Sequence, residues 1–349
     1  MFYALVDLTI PKTRCHKLTG LAPSSLHERL HPGYRRKHNP TPHRLRRKDV
    51  MLTDQERTLI CKQLDATPEV PIQQVYYQQW DHGQVLASLS SYYRMSKTPT
   101  CVSRGPKTTA VRVSKTPRTT PPQLVATKPY QTLVWDITTL PLLTRGHNTY
   151  LHCVVDLYSR AIVGWGIDDQ PNTTVAEEIF TQIIATATKQ GHQVEMIHSD
   201  NGTSMKSRKM QQFCQTHGIV RSHSRPRISD DNPHVESSFA TLKNDPTYPK
   251  VFEDKNHARN WIRTWVDYYN TTRAHSALEF FTPHQILTNT WKGTWAIRNS
   301  AKQRLYEQNP TRFRHQRPRV RTPEPEVYFN LTNTPEHQGN TTLINELMQ

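Results

Sequence analysis

The sequence lacks any uninterrupted apolar run of about 18 residues, the length that a membrane-spanning helix requires. Its apolar start, MFYALVDLTI, contains Asp7 and lacks the basic leader and the small-residue cleavage site of a secretory signal. These absences predict a soluble, cytoplasmic protein that has no membrane partner.

Cysteine pairs are also lacking. The five cysteines lie far apart, and no two of them form a Cys-x-x-Cys pair. An odd, scattered set favours reduced thiols over a disulfide framework or a zinc site. The cysteines are Cys15, Cys61, Cys101, Cys153 and Cys214.

Acidic residues are scarce: 29 Asp and Glu face 45 Lys and Arg, so the formal net charge is +16. Such a surplus favours a polyanionic partner, and nucleic acid is the commonest because neutralised phosphates release counterions. No acidic residue occurs between Asp81 and Asp136. Asp136 therefore stands alone on the predicted strand YQTLVWDITTL, which is an odd place for a charge that only solvates the surface.

The length of 349 residues predicts two or three domains. Residues 1–48 are predicted to contain a helix-turn-helix, with Gly20 at its corner, followed by a basic linker. Residues 49–95 are predicted to form a helical DNA-binding module that begins at a capping box of Thr53 and Glu56. A merely structural role is the alternative for both helical units.

In the second unit, the last helix is predicted to turn Ser88, Ser91 and Arg94 toward the DNA groove. Its two tyrosines suit the protein core equally well. The composition of residues 96–129 then changes to Pro, Thr, Lys and Arg, which predicts a flexible basic linker.

Three apolar segments after residue 130 predict an antiparallel meander: YQTLVWDITTL, TYLHCVVDLYS and AIVGWGID. A helix follows from Asn172, a good N-cap, to Gly191, a good helix stop. The strand VEMIHSD comes next. In such an α/β layered domain the ends of the first and fourth strands can lie side by side, which would bring Asp136 and Asp200 together.

A second predicted helix begins near Pro233 and carries a third carboxylate, Glu236. An apolar stripe at helical spacing would anchor it to the core: Val235, Phe239 and Leu242. Glu236 and Lys243 share the adjoining stripe. Carboxylates from separate elements suit two divalent metal ions, which promote phosphodiester cleavage, and a nearby lysine suits a phosphate.

Each of these carboxylates, taken singly, is more often a cap or a surface charge than a metal ligand. Asp156, in VVDLYSR, is the best internal rival, and a strand-end charge bonded to Ser159 or Arg160 is its simplest interpretation. His198 is more simply a hydrogen-bonded strand residue than a ligand. The prediction of a metal-dependent active site therefore rests on the three carboxylates and the lysine taken together.

The combination resembles a known family. The segments VWDIT, VVDLYSRAIVGW, HSDNG, SRPRISDDNPHVESSFATLK and WVDYYNTTRAHSALEFFTP are similar to those of DDE transposases of the IS-three insertion-sequence group, in the retroviral-integrase superfamily. The 35 residues between Asp200 and Glu236 (201–235) match the spacing of this group. The resemblance implies an α/β, RNase H-like catalytic core over residues 130–290, preceded by small all-helical DNA-binding modules and followed by a basic segment over 291–349.

The resemblance also implies a site and a reaction. Asp136, Asp200 and Glu236 would be the catalytic residues and the ligands of two Mg²⁺ ions, for which Mn²⁺ can substitute. Water would cut the end of a DNA element, and the freed 3′-hydroxyl would attack another phosphodiester. DNA contacts are expected from basic residues near the site: Lys243, Arg221, Arg225, Arg227 and Arg273.

The implied partners are double-stranded DNA, both element ends and target, and further copies of the chain assembled on it in a bacterial nucleoid. No sustained heptad repeat is present, which leaves open a need for an upstream-frame partner protein. Two other functions stay open: a catalytically inert DNA-binding repressor, and a nuclease of RNase H type.

Overall fold

The computed structural model describes residues 51–98, 101, 124–144, 146–224, 233–313 and 317–329, together with the isolated Leu18. The predicted helix-turn-helix of residues 1–48 and most of the predicted linker of 96–129 lie outside these ranges. No helix in the described ranges combines the length and apolarity needed to cross a bilayer.

Three helices form the first described unit: α1 (Asp54–Asp65), α2 (Ile72–Asp81) and α3 (Leu89–Met95). The predicted capping box is confirmed, since the Thr53 side chain accepts from the Glu56 amide and Glu56 accepts from the Thr53 amide. Apolar side chains from all three helices enclose a small core: Ile60, Leu64, Val75, Tyr76, Trp80 and Tyr92.

Cys61 and Cys101 are joined by a disulfide bond, so the expectation of reduced thiols is wrong for this pair. The helical unit brings their Cα atoms to 5.3 Å although 40 positions separate them in sequence. Sequence spacing carries no trace of this proximity, which arises only once the helices pack. Cys153 and Cys214 are free and buried.

A five-stranded sheet forms the centre of the next part of the chain, with strand order β4-β3-β2-β5-β6. Its strands are β2 (Thr132–Pro141), β3 (Asn148–Asp156), β4 (Ile162–Asp168), β5 (Met196–Ser199) and β6 (Val220–His223). The first three pair antiparallel, as the sequence predicts. β5 pairs parallel to β2 and β6 parallel to β5. This pairing places the carboxyl end of β5 beside the middle of β2, since Ser199 pairs with Trp135 and β2 continues to Pro141.

Helices cover both faces of the sheet, which gives the predicted α/β layered class. On one face α4 (Thr173–Lys189) and α5 (Arg208–Thr216) pack against apolar side chains that include Leu133, Trp135 and Val154. On the other face α6 (Pro233–Lys243) and α7 (Lys255–Thr271) pack against Val134, Cys153 and Val155. Because side chains alternate along a strand, Asp136 shares the face of Val134, the face that α6 covers.

The C-terminal part returns to both earlier units. The short α8 (Pro283–Leu287) leads to α9 (Trp291–Gln308), a helix that the sequence interpretation did not predict. A terminal strand, β7 (Val327–Phe329), pairs antiparallel with β1 (Leu124–Ala126) just before the main sheet. Residues that looked like a basic tail thus include an ordered strand of the core.

Candidate active site

Two of the predicted carboxylates lie on neighbouring strands: Asp136 is within β2 and not at its end as predicted, and Asp200 directly follows β5. The β2–β5 register pairs Trp135 with Ser199, so Asp136 and Asp200 each follow a paired residue. Asp136 continues β2 on the covered face of the sheet, and Asp200 begins the loop after β5. Both side chains are half-buried. The fold therefore brings together two carboxylates that are far apart in sequence.

Backbone amides orient both groups. The Ile137 amide donates to Oδ1 of Asp136 at 2.7 Å. The Gly202 amide donates to Oδ1 of Asp200 at 2.9 Å. Each bond uses one carboxylate oxygen and fixes the direction of the other, so both groups are oriented before any ligand arrives.

Glu236 and Lys243 complete the electrostatic surroundings of Asp136. The pKa of Asp136 is raised to about 7, chiefly because burial disfavours the charged form, and the negative charges of Asp200 and Glu236 add to the increase. The Ile137 amide and the Lys243 ammonium oppose it. Asp200, Glu236 and Lys243 are thus each close enough to Asp136 to influence its pKa.

The helix that carries Glu236 has the predicted anchor. Val235 is 0 % exposed and Leu242 is 1 % exposed, with Phe239 also buried against the sheet. Glu236 and Lys243 lie on the exposed side of this helix. The stripe that the sequence placed at the edge of the core is therefore open to solvent, where a large ligand such as DNA can reach it.

Within the described ranges, no three His, Cys, Asp or Glu side chains are drawn together tightly enough to enclose a metal ion. The donor set nevertheless fits a hard divalent cation, because all three groups are carboxylates. A bound cation would offset both the burial of Asp136 and the nearby negative charges of Asp200 and Glu236, which together raise the pKa of Asp136.

The predicted DNA contacts have different surroundings. Lys243, Ser88 and Arg94 are exposed. Ser91 is buried, and its hydroxyl accepts from Arg94 at 3.0 Å. Arg225 and Arg227 lie outside the described residues.

Two further arginines predicted to contact DNA make hydrogen bonds inside the protein. Arg221 on β6 donates to the Met205 carbonyl at 2.8 Å. Arg273 lies 5.9 Å from the centre of the Tyr269 ring and donates to Nε2 of His275 at 3.1 Å. Two of the arginines that were predicted to contact DNA therefore bind groups within the protein.

Asp156, the internal rival, has the predicted structural surroundings. It is fully buried, and its carboxylate accepts from the Tyr130 amide at 2.9 Å and from both the amide and the hydroxyl of Ser159. His198 is also fully buried, with Nδ1 2.9 Å from the Ser222 hydroxyl. Both interpretations of these residues as structural are confirmed.

The sequence interpretation missed the way the loop after Asp200 is held. The amide nitrogen of Asn201 donates to the Ser224 carbonyl at 2.5 Å. Nδ1 of His223 lies 3.1 Å from the Asp200 carbonyl, and burial lowers the pKa of this histidine. The only sequence signal for these contacts is that β6 follows β5 closely enough to pair with it.

Known protein families match the same region of the chain. Residues 126–229 match one protein family described as an integrase core domain, and residues 217–283 match a second with the same description. Residues 126–283, which include the sheet and its helices, are thus the region that is similar to integrase core domains.

Named relatives of the chain come from insertion sequences. The chain is 28 % identical over 166 residues to the InsK protein of element IS150 of Escherichia coli, covering 48 % of this chain and 57 % of that protein. It is 30 % identical over 159 residues to the transposase for element IS904 of Lactococcus lactis, covering 45 % and 61 %. The chain is thus a relative of insertion-sequence transposases, and the predicted relationship is confirmed. The matched region spans 57 % and 61 % of these two relatives.

Solved structures similar to the chain include the HTLV-2 integrase catalytic core domain in complex with magnesium. The sequence identity is 21 %, the alignment covers 46 % of this chain and 97 % of that one, and the TM-score is 0.35.

Proposed function

We propose that the protein is the transposase of an insertion sequence, which binds the ends of its element and catalyses DNA strand cleavage and strand transfer. The observation that carries the proposal is the convergence of Asp136, Asp200, Glu236 and Lys243 at one edge of an integrase core domain. Asp136 comes from within β2, Asp200 follows the end of β5, and Glu236 and Lys243 come from one helix.

Asp136, Asp200 and Glu236 are the residues that would hold two Mg²⁺ ions, or Mn²⁺ in their place. Such ions would supply positive charge for the phosphodiester under attack and lower the pKa of the attacking hydroxyl group. The protein's own contribution is orientation: the Ile137 and Gly202 amides fix the two aspartates, and buried Val235 and Leu242 fix the helix of Glu236.

Lys243 is proposed to bind a DNA phosphate beside these carboxylates. It lies two turns after Glu236 on the exposed side of α6, so a phosphate at the carboxylate site is within reach of its ammonium group. Its charge also lowers the pKa of Asp136, which favours the ionised form that a metal ligand needs.

The remaining parts of the chain are proposed to recognise and assemble the DNA. Residues 1–48 and 49–95 would be DNA-binding modules, 96–129 a linker, 130–290 the catalytic core and 291–349 a basic C-terminal segment. Ser88 and Arg94 are exposed at α3, where the second module would meet the groove. Double-stranded DNA, further copies of the chain and an upstream-frame protein are the proposed partners.

The proposal is tested by incubating the full chain with DNA of its own element end and Mg²⁺. We expect wild type to cut and join strands and Asp200→Asn to lose at least about a hundredfold in both rates, because metal charge stabilisation amounts to several kcal/mol. End binding should persist in the variant.

Asp267→Asn is the matched control, since it makes the same change at an exposed aspartate of α7 and should leave both rates unaltered. Equal cleavage by wild type and Asp200→Asn would contradict the proposed site. Binding without cleavage by wild type would favour the repressor function, and cutting of RNA in an RNA–DNA hybrid alone would favour the nuclease.

A further inference from the structure

The loop from Asp200 to Met205 is attached to the edge strand β6 at both of its ends. At the start, Nδ1 of His223 lies 3.1 Å from the Asp200 carbonyl oxygen. At the end, Nη2 of Arg221 donates to the Met205 carbonyl at 2.8 Å. The same Nη2 atom lies 3.0 Å from Nε2 of His223, so the two attachments are connected.

The direction of these hydrogen bonds follows from chemistry. A guanidinium group only donates, so Nε2 of His223 accepts from Arg221. A neutral imidazole whose Nε2 accepts carries its proton on Nδ1. Nδ1 of His223 therefore carries the proton and can donate to the Asp200 carbonyl at 3.1 Å, with the Ser199 hydroxyl at 3.2 Å as a second acceptor. Arg221 thus determines which histidine tautomer is present.

The loop between these attachments is tightly packed. Met205 is 2 % exposed and Ser204 is 8 % exposed. A Cβ atom at Gly202 would stand 3.0 Å from Oδ1 of Asp200 and 3.3 Å from Sδ of Met205. Movement at either end of the loop therefore changes the position of the Gly202 amide that orients the Asp200 carboxylate.

We propose that Arg221 and His223 are positioning residues for Asp200, acting through the two ends of this loop. The inference rests on the proposed function of Asp200 as a metal ligand. Groups that orient a ligand typically alter metal affinity or activity about 10- to 100-fold when removed. Arg221 is thereby given a role inside the protein in place of the expected DNA contact.

Two variants of His223 distinguish the roles of its two ring nitrogens. In His223→Asn the amide nitrogen can occupy the place of Nδ1 and keep the bond to the Asp200 carbonyl. In His223→Gln the amide lies near the place of Nε2, and that bond is lost. Arg221→Gln removes the charge and the bond to Met205, while Val220→Thr is a control on the opposite, exposed side of the same strand.

The first readout is hydrogen–deuterium exchange of the amides in the loop, measured on the full chain without DNA. We expect faster exchange in His223→Gln and Arg221→Gln, with His223→Asn and Val220→Thr close to wild type. The second readout is the Mg²⁺ concentration that half-saturates the thermal shift of the free protein, which should rise about 10- to 100-fold in the first two variants only.

Affinity for element-end DNA decides between the two roles of Arg221. A positioning role predicts affinity within about twofold of wild type in Arg221→Gln, whereas a phosphate contact predicts weaker binding with unchanged exchange. The second result would overturn the inference, as would equal exchange in His223→Asn and His223→Gln. If wild type cuts no DNA, the proposed function fails. The exchange results would still show whether Arg221 and His223 hold the loop in place.

Discussion

His152 is a buried histidine without a hydrogen-bond partner at either ring nitrogen among the described residues. It lies on β3 with no exposed surface and stacks 6.0 Å from Trp135. Burial lowers its pKa to about 4, because the charged ring cannot be solvated there, and the charge of Asp168 only partly opposes the decrease. The ring is neutral in the folded protein at any pH above that value.

This histidine predicts acid sensitivity. An unfolded chain binds a proton at His152 below pH 6.5, whereas the folded chain resists until about pH 4. Stability should therefore fall as the pH drops from 6.5 to 4, with a contribution of about 3 kcal/mol at most. We expect His152→Leu to reduce this loss of stability between pH 6.5 and 4, as measured by urea titrations at several pH values. The same change at exposed His147 should leave the pH dependence of stability as in wild type.

Single residues with one local role were predicted well from sequence. Asn172 and Thr53 accept from amides within three positions, and Asp156 accepts from Ser159 in addition to the distant Tyr130, so local spacing contains much of the information. The partners of His223 and Cys61 come from other elements. Their roles depend on strand register and helix packing, which no local pattern encodes.

At the scale of elements, β4 lets helix α4 approach closely because it has two glycines. A Cβ atom at Gly164 would stand 2.6 Å from Cδ1 of Ile183 and 2.7 Å from Cγ2 of Ile179. At Gly166 it would stand 3.0 Å from Cδ1 of Ile179. The apolar ridge of α4 thus fills space that other residues on β4 would occupy.

Gly164→Ala should therefore destabilise the protein by about 1–3 kcal/mol, the usual cost of overpacking a close contact. Gly293→Ala is the matched control, since no atom lies within 4 Å of its Cβ position in α9. That change should stabilise by roughly 0.5–1 kcal/mol, because glycine is unfavourable inside a helix. Urea unfolding of both variants measures the two effects, and equal destabilisation would contradict the close contact at β4.

Elements with clear ends were also predicted from sequence. The helices after Asn172 and near Pro233 have both an N-terminal signal and an apolar stripe, and both form as expected. Helix α9 was missed because it lacks a side-chain cap and its buried residues are few: Arg298, Ala301 and Leu305. From sequence alone, Arg298 is indistinguishable from a surface arginine, because its partners come from other elements.

At the scale of the whole molecule, Arg298 joins the helical unit to the C-terminal part. Its side chain is 1 % exposed, and its Nε donates to Oδ1 of Asp81 at 2.5 Å. The other two nitrogens donate to the carbonyls of Glu279 and Phe280 at 3.1 and 2.8 Å. Its guanidinium also lies 4.2 Å from the centre of the Phe281 ring. Helix α2, the turn before α8 and helix α9 thus meet at one cation.

Arg298→Met should cost about 3–5 kcal/mol, because it leaves the Asp81 carboxylate and two carbonyls without their partner. Adding Asp81→Asn should recover part of this loss, since the unpaired charge is then absent. Arg304→Met makes the same change at an exposed arginine of α9 and should cost less than about 1 kcal/mol. The free energy of unfolding in urea measures all three; a small loss in Arg298→Met would contradict the junction.

The pairing of β1 with β7 has a consequence for synthesis. Leu124 pairs in register with Phe329, so the strand that precedes the five-stranded sheet has no partner until a segment about two hundred codons later is translated. The buried side chains of Leu124 and Ala126 belong to the same apolar cluster as the anchor of Glu236's helix. A ribosome-bound chain therefore carries an incomplete core until residue 329 emerges.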